Sequence, residues 1–354
     1  MTTLIRRRAV LTTAFAAGSA ALAMPQGTGL ADVVASQRNI LAAPAVIPRH
    51  VIPRHSGAVA ARLVVPYAAG GAADVLACVV ADILHQRTGS AFVVENRPDP
   101  AGNTSAEIVA RAEPDGRTLL LGTIGTAVTN QYLHKDLKYD CAESFVPVAL
   151  VGEMANVLIV HRSFPARTLQ EFVDLCKTLG PSMLGYASPG PGSAGHLAME
   201  YLQSRAGFRL APLAQRARTR VLEELLAGQT LVAMDCLPAY HEHIKSGELR
   251  ALAVSSANRW FAAPKIPTVA EQSIGAFDAT LWWYVAAPAG TRPDVVAGLS
   301  DEIVAGLKLR ASVARLRGVG IQERPGTAKD LALHIAVENM KWKMVIASAG
   351  LVPR

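Results

Sequence analysis

Apolar positions along the chain follow two rhythms. Val64 and Val65 stand in a short β-branched run, while Val75, Leu76, Val79, Val80, Ile83 and Leu84 recur at the spacing of one helical face. The change repeats downstream: "RLVVP" then a helix to about residue 87, "AFVVEN" then a helix around 103–112, "RTLLLG" then a helix near 126–134. Strands alternating with helices predict a parallel sheet covered on both faces. A second set follows "FVPVALVGEMANVLIVH", with "MLGYAS", "LVAMD" and "LRALAVSS" as strands. "ATLWWYVAAPAG" and amphipathic helices near 293–308 and 327–348 then return the chain to the first sheet. The expected fold is α/β with two lobes: a discontinuous first lobe of residues 62–153 and 284–354, and a second lobe of 154–283. The cleft between them is the natural ligand site. Of the three rings in Leu281–Tyr284, at the crossing, two are expected in the core.

The joints between strand and helix hold the candidate chemistry. "VVPYAAGGAADVLA", residues 64–77, breaks a strand into small residues before Asp74 and a helix. Such a joint lets a ligand approach main-chain N–H groups beside the positive end of a helix, which suits an anion. "LGYASPGPGSAGHLAMEYL", residues 184–202, repeats the pattern: Ser188 and Ser193 offer hydroxyls, Gly190 and Gly192 bare amides, and Ser193 reads as an N-cap. A third joint, "LLLGTIGTAVTN" at 119–130, adds Thr123 and Thr126 as caps or ligand contacts. Asp235 ends "LVAMD" ahead of Pro238, either as a plain cap or as a partner for an ammonium or hydroxyl.

Composition narrows the class without naming a ligand. Of 354 residues, 51% are hydrophobic and 18% charged, far from a disordered chain. Arg6, Arg7 and Arg8 precede a charge-free stretch ending in "ALA" at 21–23, the pattern of an export signal cleaved near Ala23. "RRAVL" fits a twin-arginine signal and an ordinary secretory one equally, and an uncleaved anchor would need ~20 apolar residues. Residues 24–61 read as a flexible leader with a tandem "VIPRH". Losing three arginines and no acids takes the formal charge from +7 to +4, a mild bias and no nucleic-acid footprint. Cys78, Cys141, Cys176 and Cys236 form no C-x-x-C pair and are expected as isolated core residues, one disulfide remaining possible in an oxidising compartment.

Catalytic machinery is not visible. "HEH" at 241–243 would place two ligands on different helix faces, no G-x-S-x-G elbow occurs, and "PGPGS" lacks dinucleotide-fingerprint spacing. An exported enzyme would have Asp235 or His196 as its candidate acid or base.

From about Arg62 to Val352 the chain resembles the Bug-type substrate-binding receptors of tripartite tricarboxylate transporters. The likeness rests, in order, on "VVPYAAGGAADVLA", "VVENRPDPAGN", "ARAEPDGRTLLLGTIGT", "SFVPVALVG", "YASPGPGSAGHLA", "LLAGQTLVAMD", "HIKSGELRALAVSSANR", "IPTVAEQ" and "APAGT". It implies a type II periplasmic binding-protein fold of the Venus-flytrap kind that closes on a small carboxylate, without cofactor or metal. Carried over, the ligand loops are Tyr67, Ala68, Ala69, Gly70 and Gly71, and Ser188, Gly190, Gly192 and Ser193. Thr123 and Thr126 stand beside the cleft, Asp235 in the pocket, and Asp74 and His196 brace the loops. The expected partners are a di- or tricarboxylate, aromatic acid or amino acid, and membrane transporter subunits or a sensor kinase, with the receptor a periplasmic monomer. This sequence departs from the family pattern at Cys78, at Ala127 and over 209–229, where Arg216, Arg218 and Arg220 are expected to face solvent.

Overall fold

A computed structural model describes residues 60–99, 101–213 and 218–353. The expected export signal, nearly all of the leader and Arg216 lie outside them.

The strand at Ala61–Val65 (β1), buried on both faces, is an inner strand of a six-stranded sheet. It pairs in parallel with Phe92–Asn96 (β2) and Thr118–Thr123 (β3). Beyond β3 the sheet turns antiparallel: Leu281–Pro288 (β10) pairs with β3 and with Phe145–Met154 (β4), which carries Gln322–Gly326 (β11) at the edge. The sheet is therefore mixed, not parallel throughout. The returning strand arrives without a crossover helix, which permits the antiparallel pairing.

Alternation sorts the side chains. Leu63, Val65, Leu119, Leu121 and Val285 meet helices Ala72–Thr88 (α1), Pro293–Leu307 (α8) and Arg310–Gly318 (α9) on one face. Val64, Leu120, Tyr284 and Ala286 meet Asn103–Ala110 (α2) and Ala328–Ser348 (α10) on the other. Helix α9 and strand β11 were not foreseen. The basic run Arg310, Arg315 and Arg317 hides the two apolar residues of α9 that are buried or half-buried, Val313 and Leu316.

The long apolar run 145–161 breaks at Ala155. The chain leaves β4 there and enters Asn156–His161 (β5), the middle of a three-stranded antiparallel sheet with Val232–Cys236 (β8) and Leu249–Val254 (β9). Leu158, Val160, Val232 and Met234 join the core that also holds Val64 and Tyr284, whereas Val157, Ile159 and Ala233 face Arg218–Leu226 (α6) and His241–Ser246 (α7). Gly185–Tyr186 (β6) and Ala211–Pro212 (β7) form a short parallel pair, tied to β8 through Ala187 and Ala233. Leu169–Leu179 (α4) and Ala194–Ala206 (α5) complete this half.

The two crossings are knit together. Asn156 donates its side-chain amide to the Ala279 carbonyl at 2.8 Å, and the Ser255 hydroxyl donates to the same oxygen at 3.0 Å. All three rings of 282–284 are buried, one more than expected, and Leu281 alone of the stretch is half-buried. All four cysteines are free. Arg220 is exposed and pairs with Glu223 and Glu224.

Candidate functional site

A cavity of about 420 Å³ opens where the strand-to-helix joints meet. Its walls are Tyr67 after β1; Ala101; Thr123, Ile124 and Gly125 at the end of β3; Asn130 and Leu133 of the following helix and His134 just past it; Pro189 to Ala194; Asp235 and Cys236 at the end of β8; and Leu281. No lysine or arginine is among the described lining residues, so a negative guest would be met by neutral donors and helix ends.

The first loop is held from within. Asn96 donates to the Tyr67 carbonyl at 3.0 Å and to Asp74 at 2.8 Å, and the other Asp74 oxygen accepts the Gly70 amide at 2.9 Å. Asp74 is thus a brace. Gly70, at φ 85°, adopts a conformation that glycine takes without strain. Ala68, Ala69, Gly70 and Gly71 are exposed and do not line this cavity; Tyr67 does.

The second loop is held similarly. Ser193 caps α5 by accepting the His196 amide at 3.3 Å, while His196 Nδ1 accepts the Gly192 amide at 3.2 Å. Ser188 Oγ takes the Gly190 amide at 3.4 Å, and the Tyr186 ring stacks on His196. The expectation of bare amides is therefore corrected at Gly70, Gly190 and Gly192: the first and last find an acceptor four residues on, and Gly190 finds one two residues back. Small residues in left-handed or extended turns have no side-chain packing to hold them, and these bonds supply the rigidity. Ser188 is buried behind the wall, whereas Gly190, Gly192 and Ser193 line it.

Helix α5 reaches the cavity because Gly195 lies against β8. A Cβ there would stand 2.1 Å from the Met234 carbonyl oxygen, so only glycine permits this approach. Ser193 and Ala194 are thereby set beside Asp235. The positive end of a 13-residue helix then faces the cavity.

At the third joint Thr123 and Thr126 separate in role. Thr126 is fully buried; its hydroxyl accepts the Thr123 amide, donates to the Thr123 carbonyl and meets the Tyr284 hydroxyl at 3.1 Å. It is a brace outside the wall. Thr123 lines the cavity, and its hydroxyl, having accepted the Gly125 amide at 3.2 Å, still has a proton to give. The turn Gly125–Thr129 is π-helical, followed by Asn130–Leu133 (α3). Tyr284 lies over Gly122 on the neighbouring strand, where a Cβ would stand 2.3 Å from its ring. Complete burial pushes the Tyr284 hydroxyl well above the usual phenol range, so it stays a neutral hydrogen-bonding group.

Asp235 is buried; its carboxylate accepts the Cys236 amide at 2.7 Å and the Tyr240 hydroxyl at 3.0 Å. His243, of the "HEH" triplet, faces Glu248 at 2.9 Å, and no cluster of metal-binding side chains occurs among the described residues. Sequence reasoning missed Asn130, Leu133, His134, Pro191 and Cys236. Asn130 carried a signal: it closes "GTIGTAVTN", and its amide donates to the Ala101 carbonyl at 2.8 Å and to Asn103 at 2.7 Å, fixing two walls together. Leu133 and His134 carried none.

Residues 76–351 match the family described as the tripartite tricarboxylate transporter family receptor. Protein BugT of Bordetella pertussis is 31% identical over 290 residues, 82% of this chain and 89% of that protein. The solved structure of R. palustris Rpa4515 with adipate is 31% identical, with a TM-score of 0.72 over 83% of this chain and 98% of the other. MatC (Rpa3494) from Rhodopseudomonas palustris with bound malate is 27% identical, with a TM-score of 0.67 over 81% and 98%. The two-lobed α/β architecture is that of the periplasmic binding proteins. The chain belongs to the tripartite tricarboxylate transporter receptor family.

Proposed function

We propose that this chain is an exported receptor that captures a small carboxylate in the 420 Å³ cavity and presents it to the membrane subunits of a transporter. One observation carries the reading. The cavity is walled by strand-to-helix joints from both sheets, with hydroxyl donors at Thr123 and Ser193 and a helix N-terminus at Ala194. The carboxylates bound to Rpa4515 and MatC support it. Lobe 1 is built on the six-stranded sheet, to which β10 and the chain after it return, lobe 2 on the three-stranded sheet, and the guest favours closure by touching both.

The acid is held without a formal counter-charge, as the neutral donors of the wall require. Asp235, held by the Cys236 amide and the Tyr240 hydroxyl, faces a hydroxyl or ammonium of the guest. No bond is made or broken in the process. No helix of the described residues is long and apolar enough to cross a membrane, in keeping with a receptor that works beside its transporter.

Thermal-shift screening of the purified chain against carboxylates, followed by calorimetry, tests the reading. Ligand at ~100 Kd is expected to add about 2.7 kcal/mol of apparent stability. No shift with any carboxylate, or turnover of one, overturns it.

A further inference from the structure

Helix α10 is apolar on two faces. One carries Leu331, Trp342, Val345 and Ile346 into the core. The other carries Leu333, Val337, Met340 and Met344, each 50–68% exposed. These are four of the ten large apolar residues exposed among the described residues, and no other described helix holds one. Single exposed apolar side chains are ordinary, but a row of four along one helix is not. Ala332, Ala336 and Ala347 are exposed beside them, and Lys343 is the one charged residue exposed between 332 and 347.

The spacing says what kind of partner fits. The steps between the four are four, three and four residues, the alternation of a narrow a/d seam. Such a seam packs on another helix laid alongside at about 20°. A membrane surface is the poorer match: helices that bind one flank their apolar face with several lysines and arginines, and this face has Lys343 alone.

Laid antiparallel on a second copy, the seam matches itself. Leu333 meets Met344 of the second copy, Val337 meets Met340, and a two-fold axis repeats both pairs. Lys343 then falls beside Ala336 of the second copy, so no like charges meet, and the two helix dipoles oppose one another. A parallel pair would instead set one Lys343 against the other. From Ala332 to Ala347 the strip is about 24 Å long and about 10 Å wide, a few hundred Å² of contiguous apolar surface, the size that marks an interaction site. Two strips face to face cover less than the ~1,200 Å² at the low end of stable complexes, which makes the association weak and concentration-dependent.

We infer that this face of α10 is a docking surface for a second copy of the chain, the two helices packed antiparallel about a two-fold axis, in place of the monomer expected from the sequence. None of the seam residues lines the ligand cavity, so association and ligand capture are separable.

Sedimentation velocity of the full chain from ~1 to ~300 μM tests the inference, the average mass being expected to rise from one chain toward two over that range. Met340→Glu, at the centre of the seam, and Met344→Lys, at its end, are expected to hold the mass at one chain throughout. Both side chains are exposed, so the melting temperature of the dilute protein is expected to stay unchanged. Mild oxidation of Leu333→Cys mixed with Met344→Cys is expected to link the two variants to each other. Neither is expected to link to itself, since eleven residues, about 16 Å of helix, would separate the equivalent positions. The unsubstituted chain, whose four cysteines are free, serves as the blank. One-chain mass at every concentration, a dimer that survives both variants, or a cross-link in Leu333→Cys alone overturns the inference. Flotation of the chain with phosphatidylglycerol vesicles, lost in both variants, assigns the face to a lipid surface and overturns it as well.

Discussion

At single residues, glycine is where the chain is least replaceable, for reasons that differ between positions. Gly70 has open space around its missing Cβ and is constrained by φ alone, whereas Gly195 has a carbonyl oxygen 2.1 Å away. Gly195→Ala must push α5 off β8 and, with it, Ser193 and Ala194 off the cavity. Overpacking of this kind costs about 1–3 kcal/mol. The expected outcome is a melting temperature lowered by several degrees and lost ligand binding, read by calorimetry with and without acid. Gly70→Ala is expected to leave α5 and the cavity wall undisturbed. At this scale the sequence was legible where a motif sets backbone geometry, as for the Ser193 cap and the Asp74 brace. It misled at Thr126 and at the amides of Gly70, Gly190 and Gly192. Whether a polar group faces a guest or its own chain depends on partners such as His196 and Tyr284, four and 158 residues away.

Among elements, α10 shows how a helix can be tied down by buried charge. Trp282 of β10 and Trp342 of α10 both donate their indole N–H to Glu338, at 3.0 and 2.8 Å, with Lys341 beside the same carboxylate. The edge of His334 meets the Trp282 ring, and burial, with Arg324 and Lys341 nearby and Glu338 and Asp278 opposing, lowers its pKa to about 4. A folded-state value below the unfolded value of about 6.5 means that the unfolded chain takes up the proton first on acidification. Stability is therefore present above about pH 6.5 and lost as pH falls toward about 4, roughly 2 kcal/mol at about pH 5. Glu338, held low against the cost of its burial by Lys341, the Trp342 indole and His334, adds loss in the same direction below the usual carboxylate range. His334→Gln is expected to flatten the acid limb of a denaturation series between those limits; an unchanged slope would assign the acid loss elsewhere. A second check is the crossing. Asn156→Ala leaves the Ala279 carbonyl with Ser255 as its side-chain donor, and about 1–3 kcal/mol of lost stability is expected from urea titration. Most elements could be read from periodicity alone, because β1, β3 and β10 are buried on both faces and α5 and α10 carry clear caps. The antiparallel half of the sheet could not, since pairing direction depends on where the chain returns, which no local pattern records.

For the whole molecule, the question is how two sheets can move about a hinge and still share a core. Leu158, Tyr186, Leu197 and Tyr201 from one half lie in the same apolar cluster as Val64, Trp282, Trp342 and Ile346 from the other. Tyr201 stacks on Phe277 at 4.7 Å and meets Trp342 at 6.0 Å, beside the crossing strand. If the halves rotate about this crossing, as the proposed capture requires, contacts there are expected to change little, and the contact of Leu133 with Gly192 at the cavity is expected to take the movement. A shared core at the pivot makes the two halves one folding unit, so calorimetry is expected to show a single unfolding transition. Saturating acid would then move that transition as a whole, by about 5 °C for ~2.7 kcal/mol in a chain of this size. Small-angle scattering is expected to show a smaller radius of gyration in the same samples. Two transitions of which only one shifts would place the ligand within one half, and would leave closure with no energetic source.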